Sequence, residues 1–148
     1  VDAAMNDGAT PVFVAAGMGH KDAAVLLLAH GASVNASTND GATPLFIAAQ
    51  EGDKDVAALL LARGASVDAA MNDGATPVFV AAGMGHKDAA VLLLAHGASV
   101  KAAMNDGATP LFVAAQEGHN DTATLLLAHG AAVDAANNDG ATPLCMAA

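Results

Sequence analysis

The sequence contains no tryptophan and no tyrosine, only four phenylalanines, one cysteine and five basic residues in 148. So few aromatics exclude a core resting on large anchors. The 40 alanines call instead for small side chains packed closely over many repeated contacts. The single cysteine, Cys145, excludes an internal disulfide and says little about compartment. Five bases stand against fifteen acids, for a formal net charge of -10. Such a surface repels phosphate, which argues against nucleic acid and against anionic membranes. No stretch of about 18 uninterrupted apolar residues occurs, so a membrane-spanning helix is excluded. A soluble, intracellular protein is the expectation.

What is present is a repeat. Thr-Pro falls at Thr10-Pro11, Thr43-Pro44, Thr76-Pro77, Thr109-Pro110 and Thr142-Pro143, each step being 33 residues. Each copy reads Asn-Asp-Gly-Ala-Thr-Pro, a short apolar run with Ala-Ala, a glycine, Leu-Leu-Leu-Ala and Gly-Ala-x-Val. A longer period overlies the first: residues 1–34 and 67–100 are identical, 66 residues apart. Recent duplication and deliberate construction both account for an identity of that length, so a designed scaffold stands among the readings.

Within a unit the local chemistry predicts helix, turn, helix and then an extended finger. The Thr10 hydroxyl caps a helix whose first position is Pro11, where no donor is needed. The run Val12 to Ala16 continues it until Gly17 and Gly19 stop it. Lys21 to His30 forms a second helix with Ala24, Leu27 and Leu28 on one face, ended by a left-handed Gly31. Asn6-Asp7-Gly8 and its copies form tight turns at the finger tips. The fold class expected is an all-α solenoid of stacked helix-turn-helix units joined by hairpin-like fingers.

No constellation supports catalysis, a cofactor or a metal. His20, His86 and His119 share one position in the unit, and His30, His96 and His129 share another. Same-position side chains in stacked units lie about a helix layer apart, too far to converge on one ion. The first set is expected to cap or pack locally, and the second to sit where a helix C-terminus favours positive charge. Cys145 has no suggested base and occupies a position where other units carry a buried Phe, so a structural thiol is expected. Ser33, Ser37, Ser66 and Ser99 recur in loops without a nucleophile elbow. Asp53 and Asp55 flank Lys54 at a helix start, where acids stabilise the dipole. No glycine-rich phosphate loop follows a strand.

The chain resembles the ankyrin-repeat family. The resemblance rests on the 33-residue period, Gly41-Ala42-Thr43-Pro44-Leu45, Ala48-Ala49, Gly118-His119, Leu59-Leu60-Leu61 and Gly64-Ala65-Ser66-Val67-Asp68, and it covers the whole chain. It implies one domain over 1–148, with units starting near 5, 38, 71, 104 and 137. That makes about four and a half repeats, the last ending after its first helix, as in a segment of a longer array. The family usually has histidine after Thr-Pro-Leu; here Phe13, Phe46, Phe79, Phe112 and Cys145 stand there, so stacking should lean on apolar packing.

The resemblance also implies a partner protein bound along a concave side of finger tips and first-helix faces. The matching tips are Met5-Asn6-Asp7, Thr38-Asn39-Asp40, Met71-Asn72-Asp73 and Met104-Asn105-Asp106, with Asn137-Asn138-Asp139 beyond them. The groove positions alternate between Gly17-Met18 or Gly83-Met84 and Gln50-Glu51 or Gln116-Glu117. Methionine suits an adaptable contact surface, although Met18 and Met84 could equally tuck against their own units. The tip aspartates either attract a basic partner or shape their own turns. Three functions follow: a non-enzymatic interaction scaffold, a segment that self-associates end to end, and a regulatory module of a larger enzyme or effector.

Overall fold

The computed structural model describes residues 1–147. Among these residues nine helices occur, eight of them in four pairs: α1 Pro11–Gly17 and α2 Lys21–Ala29, α3 Pro44–Glu51 and α4 Lys54–Ala62, α5 Pro77–Met84 and α6 Lys87–Ala95, α7 Pro110–Gln116 and α8 Asn120–Ala128, then α9 Pro143–Ala147 alone. Each first helix begins as its chemistry dictates. Thr10, Thr43, Thr76 and Thr109 are extended, and their hydroxyls accept from the amides of Phe13, Phe46, Phe79 and Phe112 at 3.2–3.4 Å. These threonines are buried, so the bond also meets the hydroxyl's need for a partner away from water.

The first helix of the first unit ends at the two glycines expected to end it, Gly17 and Gly19. α1 includes Gly17, and α5 runs through Gly83 to Met84. The left-handed residue comes later, at Gly19 and Gly85. Gly17 and Gly83 also serve packing. A Cβ on Gly17 would lie 3.0 Å from Ile47 Cγ1, and one on Gly83 would lie 3.0 Å from Val113 Cγ2. The missing side chain lets the next first helix come close. The second helix of the first unit ends at Ala29, one residue short of expectation, with His30 as its C-cap.

The core runs along the stack between the two helix rows. Leu60, Leu93 and Leu126 are fully buried at the same position of successive units, together with Val12, Leu45, Val56 and Val78. Their counterpart Leu27 is only half-buried, since among the described residues the first unit has a neighbour on one side alone. Adjacent first helices pack more tightly than adjacent second helices, although the second helices are as long or longer. The stack therefore bends with the first helices on its inner side.

His20, His86 and His119 occupy the N-cap position of second helices, yet none caps with its side chain. In α4 that place belongs to Asp53, whose Oδ1 accepts from the Val56 amide at 3.0 Å. Two of the imidazoles instead cross the unit boundary. His86 lies against Gly52 and His119 against Gly85, where an added Cβ would come within 2.6 Å and 2.8 Å of the rings. His119 Nε2 also meets the Gly83 carbonyl at 3.1 Å.

Gly52→Ala and Gly118→Ala separate backbone strain from this ring contact. Both glycines are left-handed, at φ 71° and 75°, but nothing lies within 4 Å of a Cβ at Gly118. Gly118→Ala should cost about 1 kcal/mol of stability from conformation alone. Gly52→Ala should cost about 1–2 kcal/mol more, and the excess should vanish in a His86→Ala background when denaturation midpoints are compared.

Candidate interaction surface

The fingers are tight turns in which the Met5 amide donates to the Ala9 carbonyl and the Gly8 amide to the Met5 carbonyl, both at 2.9 Å. Successive tips are joined twice. The amides of Asn39, Asn72, Asn105 and Asn138 donate to the carbonyls of Asp7, Asp40, Asp73 and Asp106 at 2.7–2.9 Å. The side-chain Nδ2 groups of the same asparagines donate to the carbonyls of Asn6, Asn39, Asn72 and Asn105 at 3.0–3.2 Å. Sequence reasoning placed these asparagines on a partner surface. Their amide groups are committed to a ladder that clamps the fingers together. The signal was legible in principle, since asparagine recurs at this place in every unit, five times without exception.

The tip aspartates shape their turns. Asp7, Asp73 and Asp106 accept through Oδ1 from the amides of Ala9, Ala75 and Ala108 at 3.0 Å. Asp40 accepts from the Thr38 hydroxyl, which itself accepts from the Ala42 amide at 3.1 Å. Each of these carboxylates keeps a second oxygen at the tip. A second ladder joins the connections that follow the second helices. Ser33, Ser66 and Ser99 amides donate to Asp2, Asn35 and Asp68 side chains at 2.9–3.0 Å. At the corresponding place of the next unit stands Lys101, which offers no acceptor to the Ala132 amide.

The phenylalanines two positions after Pro11, Pro44 and Pro77 build an apolar layer beneath the fingers. Phe46 is buried with Ala42 and Ala75, and Phe13, Phe79, Met71 and Met104 pack against them. Phe13 and Phe79 remain half-buried because the residue four positions on, over the same helix face, is glycine; in the alternate units it is Gln50 or Gln116. Met71 and Met104 thus serve this layer, whereas Met5 is 64% exposed. Met18 and Met84 are 67% and 54% exposed and do not tuck against their own units. Glu51, Gln116 and Glu117 are exposed as well, and Gln50 is half-buried.

Charge is sorted across the stack. The fingers and first helices, residues 5–19, 38–52, 71–85, 104–118 and 137–147, carry Asp7, Asp40, Glu51, Asp73, Asp106, Glu117 and Asp139 and no lysine or arginine. Lys21, Lys54 and Lys87 open second helices, Arg63 caps α4, and Lys101 lies in a connection. The inner side of the bend is therefore purely acidic.

The remaining chemistry-bearing residues are dispersed. His30, His96 and His129 turn Nδ1 to the carbonyls of Leu26, Leu92 and Leu125 at 2.8–3.0 Å, so they sit on helix C-termini. Among the described residues no three of His, Cys, Asp and Glu gather at one point. Cys145 is exposed, which corrects the expectation of a buried thiol: Phe46 is buried at this place because a further unit packs over it, and no described residues do so at Cys145. Among the described residues no helix is long and apolar enough to cross a membrane.

Pairs of short helices, stacked by fingers at a constant spacing and offering an uninterrupted inner surface, define a helical repeat solenoid. The family model for ankyrin repeats (3 copies) matches residues 1–71, 37–104, 67–137 and 102–148, which together span the chain. The chain belongs to the ankyrin-repeat family. No curated protein sequence matches it. Ankyrin repeats are in general modules of protein–protein interaction, and the family is typically non-enzymatic.

Lys101→Asp should complete the second ladder. Stability should rise by about 0.5–1 kcal/mol, the ordinary net worth of one such bond, as read from the denaturation midpoint.

Proposed function

We propose that this domain is a non-enzymatic scaffold that holds a basic segment of a partner protein along its inner finger-and-groove surface. The observation that carries the reading is the sorting of charge: seven carboxylates and no base on fingers and first helices. Uniform potential along a concave strip raises the encounter rate of a basic partner more than it raises final affinity. Met5, Met18 and Met84 add exposed, adaptable apolar area beside these acids. The tips are held by the asparagine ladder, so little conformational freedom is lost on binding.

A labelled peptide of eight arginines tests the charge reading directly. It should bind with an association rate that falls steeply as salt rises, while a peptide of eight glutamates should not bind. The double substitution Met18→Lys and Met84→Lys should weaken capture by about tenfold or more with helicity unchanged. Unaltered capture would remove both methionines from the surface.

A second reading, end-to-end association, is favoured by a separate observation. Leu144 is 76% exposed in an apolar groove with Leu111, Ala115 and Leu127, whereas Leu111 and Val78 at its own position are buried. One long period earlier, the equivalent groove of Leu45, Ala49, Leu61 and Val78 is the one against which α6 packs. The nine residues of α2 are the same as those of α6, and its Leu26 is 59% exposed at the opposite end. A second copy's first unit thus carries a helix matched to the groove, provided its α1 takes the place of α9. Light scattering across a hundredfold dilution should then show mass rising above 14.4 kDa. Leu144→Glu would not disperse such an assembly if α9 is displaced, whereas Leu127→Glu should. Constant mass at all concentrations would remove this reading and leave the first untouched.

A further inference from the structure

We infer that the cleft between the first two fingers receives the side chain of a lysine or arginine from the partner, an inference that rests on the reading of the inner face as a site for a basic segment. The cleft holds about 440 Å³, and Asp7, Phe13, Thr38, Asp40, Phe46 and Gln50 all line it. That volume falls in the lower part of the range in which proteins enclose small ligands, about 300–1,000 Å³.

Its chemistry is divided by depth. Phe13, left half-covered by Gly17, offers ring surface to an aliphatic stem, while Phe46, which also lines the cleft, is buried. Asp7 and Asp40 stand at the rim, each with one carboxylate oxygen used inside its own turn and one left over. A long apolar stem ending in a cation satisfies both levels together, since an aromatic floor also attracts a cation above its face. A neutral aliphatic side chain would leave the rim carboxylates without a partner, and a short cation would not reach the rings. No lysine or arginine of this chain lies on the fingers or first helices to compete for the place.

The cleft owes its room to one substitution in the repeat. The tip position is methionine at Met5, Met71 and Met104 but threonine at Thr38. Met71 and Met104 pack down on the Ala42, Phe46 and Ala75 layer, whereas at the corresponding place above Phe13 the shorter Thr38 leaves space open. Two units on, Met104 stands where Thr38 does. Thr38 instead directs its hydroxyl to Asp40 and so fixes that carboxylate at the rim.

The test is an NMR titration of the whole chain with Nα-acetyl-lysine methylamide and Nα-acetyl-arginine methylamide, against the neutral norleucine and citrulline counterparts. The cationic probes should give saturable shifts at Thr38, Ile47 and Gln50, with a Kd on the order of millimolar, and the neutral ones should not. Thr38→Met should abolish these shifts while leaving the fold intact, because methionine is accommodated at this place in three other units. It should also weaken the eight-arginine peptide by about threefold or more. Equal shifts from citrulline or norleucine would overturn the assignment, as would undiminished binding of the cations by the Thr38→Met protein. If that protein captures the eight-arginine peptide as the unaltered chain does, the cleft falls and the acidic face stands. If the unaltered chain captures no arginine peptide at all, the underlying reading falls with it.

Discussion

Burial across the boundary between units is the interaction on which the rest of this structure depends. A helix pair of 16 or 17 residues in two short rods cannot enclose its own apolar face, and each unit hands that face to its neighbour. Leu60 and Leu93 reach zero exposure with a complete unit on either side and Leu126 with a unit before it and α9 after it; Leu27, with one neighbour among the described residues, does not. Alanine is the enabling residue. Ala48, Ala49, Ala81, Ala82 and Ala114 lie fully buried between first helices, and larger side chains there would hold the helices apart. Gly17 and Gly83 extend the same logic to the point where even a Cβ would crowd the next unit. Close approach on this side, and wider spacing on the other, bends the stack and creates an inner surface.

Polar groups then fix what apolar packing leaves loose. Apolar contact alone tolerates sliding, whereas a hydrogen bond specifies one register. Each finger donates to its predecessor through both the backbone and the side chain of one asparagine, so the tips advance in register with the helices beneath. The histidines at the start of α6 and α8 add a third link, by lying against glycines of the preceding unit. The phenylalanine layer adds non-directional contact area beneath the fingers. The resulting platform is stiff, and stiffness favours a surface that binds without first having to order itself.

Function on such a platform belongs to whatever the repeat leaves variable. Positions inside the stack hold alanine, leucine, valine, proline, phenylalanine and the capping threonines. The tip residue before the asparagine and the two residues after Ala-Ala differ between units. Those are the places where Thr38 departs from methionine and where Met18 and Met84 alternate with Gln50-Glu51 and Gln116-Glu117. Acid without base along this strip, and all five bases on the second helices and their connections, is a property of the surface and not of the fold.

The sequence by itself determined the unit, its helix starts and its order of elements. Those depend on local chemistry: a threonine hydroxyl reaching an amide three residues on, a proline at a position needing no donor, an Asn-Asp-Gly turn. Sequence also made the helical class and the family legible, because a 33-residue period survives any ignorance of packing. Only the tertiary structure decided which side chains are spent between units and which remain at the surface. His86 reads as a local cap until its ring is found over Gly52, and Cys145 reads as buried until its covering unit is sought. That Asn72 also clamps two fingers and Met71 also packs on the apolar layer is seen only once the neighbouring finger is placed against them. The physical reason is common to all four: each depends on a residue about 33 positions away, brought near by stacking, and spacing along one unit carries no information about that distance.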